Sequence, residues 1–288
     1  MKILITGGSG MLGSELLNRL AFLGHMGHTL DRKAYISADK MTRNAMLHGY
    51  DIIIHAAANT NVEQCEADPE KCYFDNTFLT ETLVWGAYRL QSKFVFISST
   101  GVYGRGKSTP FHEYDVPCPT TVHHRSKLMA EQVVLRYPKT LVLRTGWLFG
   151  GRLDNQKNFI ANRIKEIRNS QGAIFANVVQ TGSPTYVVDC ANYILNLALD
   201  DADGVYNVVN EGAASRFEYV AKIAQLAGAN TEVRPVNPSA FNRLADVSEN
   251  ESAVSRRLHY EGRPKLRSWQ DALAEYMQKY NLLKCLGA

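Results

Sequence analysis

A glycine-rich turn, Thr6-Gly7-Gly8-Ser9-Gly10-Met11-Leu12-Gly13, stands directly behind the apolar run Ile3-Leu4-Ile5. A buried strand that ends in glycines and feeds a helix is built to hold a phosphate. Gly7 permits the tight turn, Gly10 lets the backbone approach a pyrophosphate, and Gly13 lets the helix lie close to the strand. The anion then meets free N–H groups and the positive end of the helix dipole. Leu12, Leu16, Leu17 and Leu20 recur at helical spacing, so the following helix is expected from about Leu12 to Leu23.

Strand and helix signals alternate through the first half. Strands are expected at Ile3–Thr6, near His28–Leu30, and at Asp51–His55, Phe94–Ser98 and Thr140–Arg144. Helices are expected at about Cys65–Cys72, Thr77–Tyr88 and Lys127–Arg136. That alternation means βαβ units, a parallel sheet covered on both faces, and right-handed crossovers. The fold class is therefore α/β, a doubly wound parallel sheet of the Rossmann kind with a smaller α+β domain. Residues 1–150 form the expected dinucleotide-binding domain, with 186–212 returning to it, and 151–288 form mainly the substrate domain. Beyond residue 150 the expected helices are Phe159–Asn169, Tyr186–Leu199, Phe217–Gly228 and Ser268–Tyr280, with a strand at Val205–Val209. Gly228 reads as a C-cap and Ser268 as an N-cap. Arg234–Arg257 reads mostly as loop.

Charge narrows the ligand class. Lys+Arg 32 against Asp+Glu 28 gives net +4, with no long basic run. Nucleic acid is not implied, whereas a phosphate-bearing small molecule is compatible. No apolar run is long enough for a membrane span. Cys65, Cys72, Cys118, Cys190 and Cys285 are scattered, with no CxxC and no metal spacing, so reduced thiols in a cytoplasmic protein are expected. The opening on a functional strand leaves no expected signal peptide. Asp31 follows Gly13 by 18 residues, where an acid accepts hydrogen bonds from an adenosine ribose and favours NAD. Arg32 and Lys33 follow at once and suit the extra phosphate of NADP. The cofactor is thus NAD or NADP.

A wider set of motifs carries a resemblance. These are Thr6–Gly13, His55-Ala56-Ala57-Ala58-Asn59-Thr60, Phe96–Ser99, Arg125–Leu128 with Glu131, Leu143–Trp147 with Phe149-Gly150, Gly182–Tyr186 with Asp189, and Ser268–Leu273. On these the chain resembles an extended short-chain dehydrogenase/reductase, and within that superfamily the dTDP-4-dehydrorhamnose reductases. The resemblance implies a nicotinamide enzyme that reduces a nucleotide-diphospho-4-keto-6-deoxy sugar for polysaccharide synthesis. In that family a Tyr gives the proton, a Lys four residues on holds the nicotinamide ribose, and a Ser or Thr holds the substrate oxygen. Ser99 matches the Ser/Thr and Lys127 the Lys. Asn76 matches the Asn of the preceding helix, and Ala56, Ala57 and Ala58 let backbone approach the cofactor. The resemblance places Trp147 in the sugar cleft and a substrate loop at Gly182–Tyr186, with Thr100, Tyr103 and Tyr186 as further substrate contacts. Arg263, Lys265 and Arg267 read either as pyrophosphate contacts or as a solvated basic turn. A homodimer is a further expectation.

The catalytic Tyr is missing. Four residues before Lys127 stands His123. Positions four apart share a helix face, so His123 inherits the direction of the absent phenol. A nearby ammonium lowers an imidazole's proton affinity, which leaves less imidazolium to act as an acid. Tyr103–Lys107 and Tyr280–Lys284 repeat the Tyr/Lys spacing but sit in a glycine-broken loop and in the C-terminal tail. Three readings stay open. His123 is a substitute acid with Ser99 or Thr100 in a relay; or Tyr103, His124 or an ordered water is the acid; or the chain binds dinucleotide as a regulatory or scaffold homologue and has lost turnover. A nucleotide-sugar epimerase is a further alternative.

Overall fold

The computed structural model describes residues 1–200, 202–237 and 243–283, so Cys285 and Lys284 lie outside the described residues. Five strands open the chain: β1 (Lys2–Thr6), β2 (Met26–Leu30), β3 (Ile52–His55), β4 (Lys93–Ser99) and β5 (Thr140–Thr145). With Gly204–Asn207 they form one six-stranded sheet, in the order Gly204–Asn207, β5, β4, β3, β1, β2. Every pairing in it is parallel. The order reverses between β1 and β3, and ligands of such sheets lie outside the strand carboxyl ends at that switch point. The central strands are buried on both faces, which explains their continuous Val/Ile/Leu/Phe runs.

Helix α1 (Met11–Phe22) buries Leu12, Gly13, Leu16 and Leu20 against the sheet. Gly7 adopts φ +73°, and a Cβ on it would lie 2.9 Å from Ala57 backbone. A Cβ on Gly13 would lie 2.1 Å from the Gly7 carbonyl oxygen, so helix and turn touch backbone to backbone.

Several boundaries differ from the sequence reading. The helix expected over Cys65–Cys72 is two short helices, Val62–Ala67 and Pro69–Tyr73, divided where Asp68 caps the second and Pro69 starts it. A π turn, Phe74–Phe78, precedes the Leu79–Arg89 helix. The helix expected to begin at Lys127 begins at Val122, because the Thr121 side chain accepts from His124 N and caps it there. That earlier start makes His123 helical. Ala173–Asn177 and Glu232–Val236 form a parallel pair, and the last three residues of the second fall inside the Arg234–Arg257 segment expected mostly as loop. Its Arg234 and Pro235 disguise it, and a two-stranded edge tolerates Pro. Ser268 caps Trp269–Lys279 as expected, and Gly228 takes φ +66° after Arg216–Leu226. Among the described residues no helix is long and apolar enough to cross a membrane.

Candidate active site

The carboxyl ends of β1, β3, β4 and β5 open into a cleft of about 810 Å³. Gly7, Gly10, Met11, Leu12 and Gly13 line one side of it with Ala56, Ala57 and Ala58. Ser99, His123, His124, Lys127 and Trp147 line it further along. No side chain caps the N-terminus of α1. The helix dipole and the first-turn N–H groups are therefore left for an anion.

A buried chain of hydrogen bonds sets the cradle. Thr80 Oγ1 donates to the Asn76 carbonyl at 2.6 Å, so His55 Nε2, 3.0 Å from that oxygen, is the donor to it. His55 Nδ1 then accepts from Thr6 Oγ1 at 2.6 Å, and Thr6 Oγ1 accepts from Ala57 N at 3.2 Å. Each group is used once, with a neutral imidazole protonated on Nε2. Burial, aided by Lys127 and Arg32, holds His55 down to about 3. Sequence reasoning missed this role of His55 and Thr6, although both stand inside quoted motifs. Asn76 itself does not line the cleft. Its Oδ1 accepts from Asn59 N at 2.8 Å and its Nδ2 donates to Asn59 O at 3.1 Å, so it clamps the loop after β3. The π turn aims it there, as π turns do at functional sites.

His123, Lys127 and Glu131 follow at four-residue steps along one face of Val122–Val134. Lys127 is 3% exposed, with its Nζ 3.9 Å from the Phe96 ring centroid. Burial pushes its ammonium down to about 7, against an upward pull from Glu131. Glu131 grips Arg144 on β5 through Nε–Oε1 at 3.0 Å and Nη2–Oε2 at 2.6 Å. Burial, then His124 and Lys127, push His123 down to about 3. His124 falls to about 4, by burial and then by Lys127. Both imidazoles are therefore neutral at pH 7. The His124 ring lies over Gly101, where a Cβ would come within 2.1 Å of it. Ser99 Oγ accepts from Gly101 N at 3.2 Å, which leaves its O–H to donate elsewhere. Beside it, Ser98 Oγ is buried, lines the cleft and has no hydrogen-bond partner among the described residues.

Trp147 closes the other wall. It adopts φ +42°, a strained conformation for a bulky residue. Its Nε1 donates to Glu251 Oε2 at 2.9 Å, and the Arg216 guanidinium lies 3.4 Å above its ring. Gly182 makes room for the indole, since a Cβ there would lie 2.2 Å from it. Burial holds Arg216 down to about 10 and raises the Glu251 carboxyl. Arg216, Arg243, Gln180 and Glu251 also line the cleft, and no motif pointed to them.

Other expected contacts lie elsewhere. Tyr103 is fully buried, stacked on Phe111 at 4.9 Å, and donates to Asn207 Oδ1 at 2.9 Å. Burial pushes its phenol up to about 12. It therefore braces the sheet outside the cleft. Thr100 is buried against Gly146, and Tyr186 is stacked on Phe149 at 5.4 Å; neither lines the cleft. Asp31 caps the Arg32–Ser37 helix by accepting from Ala34 N at 2.9 Å, and Arg32 pairs with Asp75. Neither Asp31 nor Arg32 is a lining residue. Arg263, Lys265 and Arg267 are held in ion pairs with Glu261, Glu211 and Asp189, respectively.

Comparison with known proteins places this geometry. The family described as RmlD substrate binding domain matches residues 1–282. A dTDP-4-dehydrorhamnose reductase of Mycobacterium tuberculosis (strain ATCC 25618 / H37Rv) is 31% identical over 280 residues, covering 95% of this chain and 91% of that protein. The spore coat polysaccharide biosynthesis protein SpsK of Bacillus subtilis (strain 168) is 29% identical, covering 96% and 97%. The crystal structure of a dTDP-4-dehydrorhamnose reductase from Clostridium acetobutylicum superposes with TM-score 0.91 at 26% identity, covering 98% of this chain and 100% of that one. Its counterpart from Bacillus anthracis, solved in complex with NADP, gives 0.87 at 27%, covering 96% and 99%. On a match that spans nearly its whole length, the chain belongs to the RmlD substrate binding domain family.

Proposed function

We propose that the chain is an NAD(P)-dependent reductase of a nucleotide-diphospho-4-keto-6-deoxy sugar. The observation that carries the reading is the convergence of Lys127 and Ser99 on the cleft wall facing the Gly7–Gly13 turn. The uncapped start of α1 and the unpartnered Ser98 hydroxyl fit a dinucleotide there. A nicotinamide coenzyme bound there would supply a hydride to the carbonyl carbon, and the oxygen would take a proton. Ala56, Ala57 and Ala58 expose backbone to it, and Lys127 holds its ribose. Ser99 donates its free O–H to the substrate oxygen, which draws charge away from the carbonyl carbon.

The proton needs a source. His123 and His124 are neutral, and Tyr103 lies outside the cleft. Lys127, poised at about 7, is the acid matched to neutral pH. Its ammonium gives up a proton as charge grows on the substrate oxygen, with the Ser99 hydroxyl as relay. His123 occupies the direction of the family Tyr and shapes the wall. Trp147 covers the sugar. Beyond it, Arg163, Arg216 and Arg243 share a second cavity with Phe159 and Phe175. Those guanidiniums suit a diphosphate and those rings suit a base. Residues 151–288, apart from the returning 186–212 segment, make up mainly the substrate domain in this reading.

The neutrality of His123 favours a second reading, a homologue that binds dinucleotide and does not turn over. The test is oxidation of NADH or NADPH with a dTDP-4-keto-6-deoxyhexose. Consumption of either coenzyme with a 4-hydroxy product supports the reductase. Tight dinucleotide binding without consumption leaves the scaffold.

A further inference from the structure

Behind His123, two cysteines approach its ring. Cys65 comes from Val62–Ala67 and Cys72 from Pro69–Tyr73, while His123 belongs to the first turn of Val122–Val134. Their two Sγ atoms and a ring nitrogen lie within 4.8 Å of one another, and all three residues are buried. The spacing of the two cysteines gave no hint of this, because the third ligand is supplied by a distant helix.

Both thiols rest in long hydrogen bonds: Cys72 Sγ lies 3.4 Å from Ser126 Oγ, and Cys65 Sγ donates to the Asn59 carbonyl at 3.8 Å. Asn76 Nδ2 carries two hydrogens but faces four acceptors: Ser126 Oγ at 3.0 Å, Asn59 O at 3.1 Å, Cys72 Sγ at 3.4 Å and His123 Nδ1 at 3.4 Å. The two nearer oxygens take its hydrogens, so Nδ1 and Sγ have only long contacts with it. Two thiols and an imidazole at this separation match the donor set and size of a tetrahedral zinc centre.

We propose that Cys65, Cys72 and His123 bind a thiophilic divalent cation, of which zinc is the type. Metal binding replaces the hydrogen bond that Cys65 Sγ donates to the Asn59 carbonyl at 3.8 Å. Binding releases two thiol protons to solvent, and the resulting thiolates balance the dication. The centre therefore buries no net charge. Because both thiols must lose a proton to bind, affinity falls as pH falls. The cation ties the loop after β3 to the helix that bears Lys127. This inference goes beyond the reductase reading and holds whether or not the chain turns over.

The test uses the full chain, stripped by a chelator, kept reduced with a phosphine and titrated with cobalt(II). The expected result is a stoichiometric thiolate-to-cobalt charge-transfer band with the visible bands of a tetrahedral ion, both removed by added zinc. Cys65→Ser and Cys72→Ser each weaken binding about tenfold or more, whereas Cys118→Ser, at an exposed thiol, leaves it unchanged. X-ray absorption of the zinc-loaded unmutated chain shows two sulfurs and an imidazole, which covers the case of a variant that fails to fold. A cobalt spectrum without the charge-transfer band, a band that survives both substitutions, or a zinc shell of oxygen alone overturns the proposal.

Discussion

Lowering the pH from 7.5 to 5.0 strips stability from this fold through three buried imidazoles. His55, His123 and His124 are 0%, 6% and 6% exposed and sit at about 3, about 3 and about 4 in the folded chain. In the unfolded chain each returns to about 6.5. Their folded values lie below their unfolded ones, so below 6.5 the unfolded state binds three more protons than the folded state. Stability is complete above that pH and is lost as pH falls. The charges facing them deepen the effect: Lys127 faces all three, Arg32 faces His55, and the two adjacent imidazoles face each other. One proton changes stability by about 1.4 kcal/mol per pH unit, so each imidazole loses about 2 kcal/mol by pH 5, or roughly 6 kcal/mol together. That is comparable with the whole stability of a domain, about 5–15 kcal/mol. Lys127, at about 7 in the folded chain, gains its proton at the top of this window and adds a loss of about 1 kcal/mol in the same direction. Urea unfolding followed by tryptophan fluorescence at several pH values measures the slope. The variant His124→Gln removes one of the three protons and reduces the slope by about a third. A stability unchanged between pH 7.5 and 5.0, or an undiminished slope in that variant, would refute the reasoning.

Further outcomes follow from the same geometry. His123→Tyr restores a phenol on the face of Lys127 and raises turnover about 100-fold or more, read as coenzyme oxidation; a loss would show that the imidazole has a chemistry of its own. In the unmutated chain kcat declines as pH rises through about 7, because the acid form of Lys127 is present below that value; a rate that climbs from pH 7 to 9 contradicts it. Gly13→Ala forces a Cβ to within 2.1 Å of the Gly7 oxygen, lowering stability by about 1–3 kcal/mol and abolishing calorimetric dinucleotide binding. Glu251→Ala orphans Trp147 Nε1, lowers stability by about 1–3 kcal/mol and raises KM for the sugar nucleotide more than it lowers kcat.

Local chemistry was legible in the sequence, and long-range convergence was not. The Gly7–Gly13 turn is read directly, since strand, glycines and helix are contiguous and each glycine answers a steric need. His123 and Lys127 are legible because helical spacing alone puts them on one face. Tyr103 was misread because it follows a strand end near Ser99, yet its ring turns away into the Phe111 and Asn207 layer. Resemblance singled out Trp147, which lines the cleft, but not its partners: Glu251 lies 104 residues away, and Arg216 opens a helix with no motif. Cys65 and Cys72 looked scattered because their spacing ignores the helix that brings His123 close to both. The Glu232–Val236 strand escaped because its exposed positions and Pro235 erase the usual alternation.

The central claim is that the turn after β1 and the Lys127 helix grip the two ends of one nicotinamide dinucleotide. A crystal structure with bound NADP(H) tests it most directly. The account predicts the pyrophosphate on the N–H groups that open α1 and the nicotinamide ring beside Lys127 and Ser99. A coenzyme seated outside the cleft, or one whose nicotinamide points away from Lys127, would contradict it.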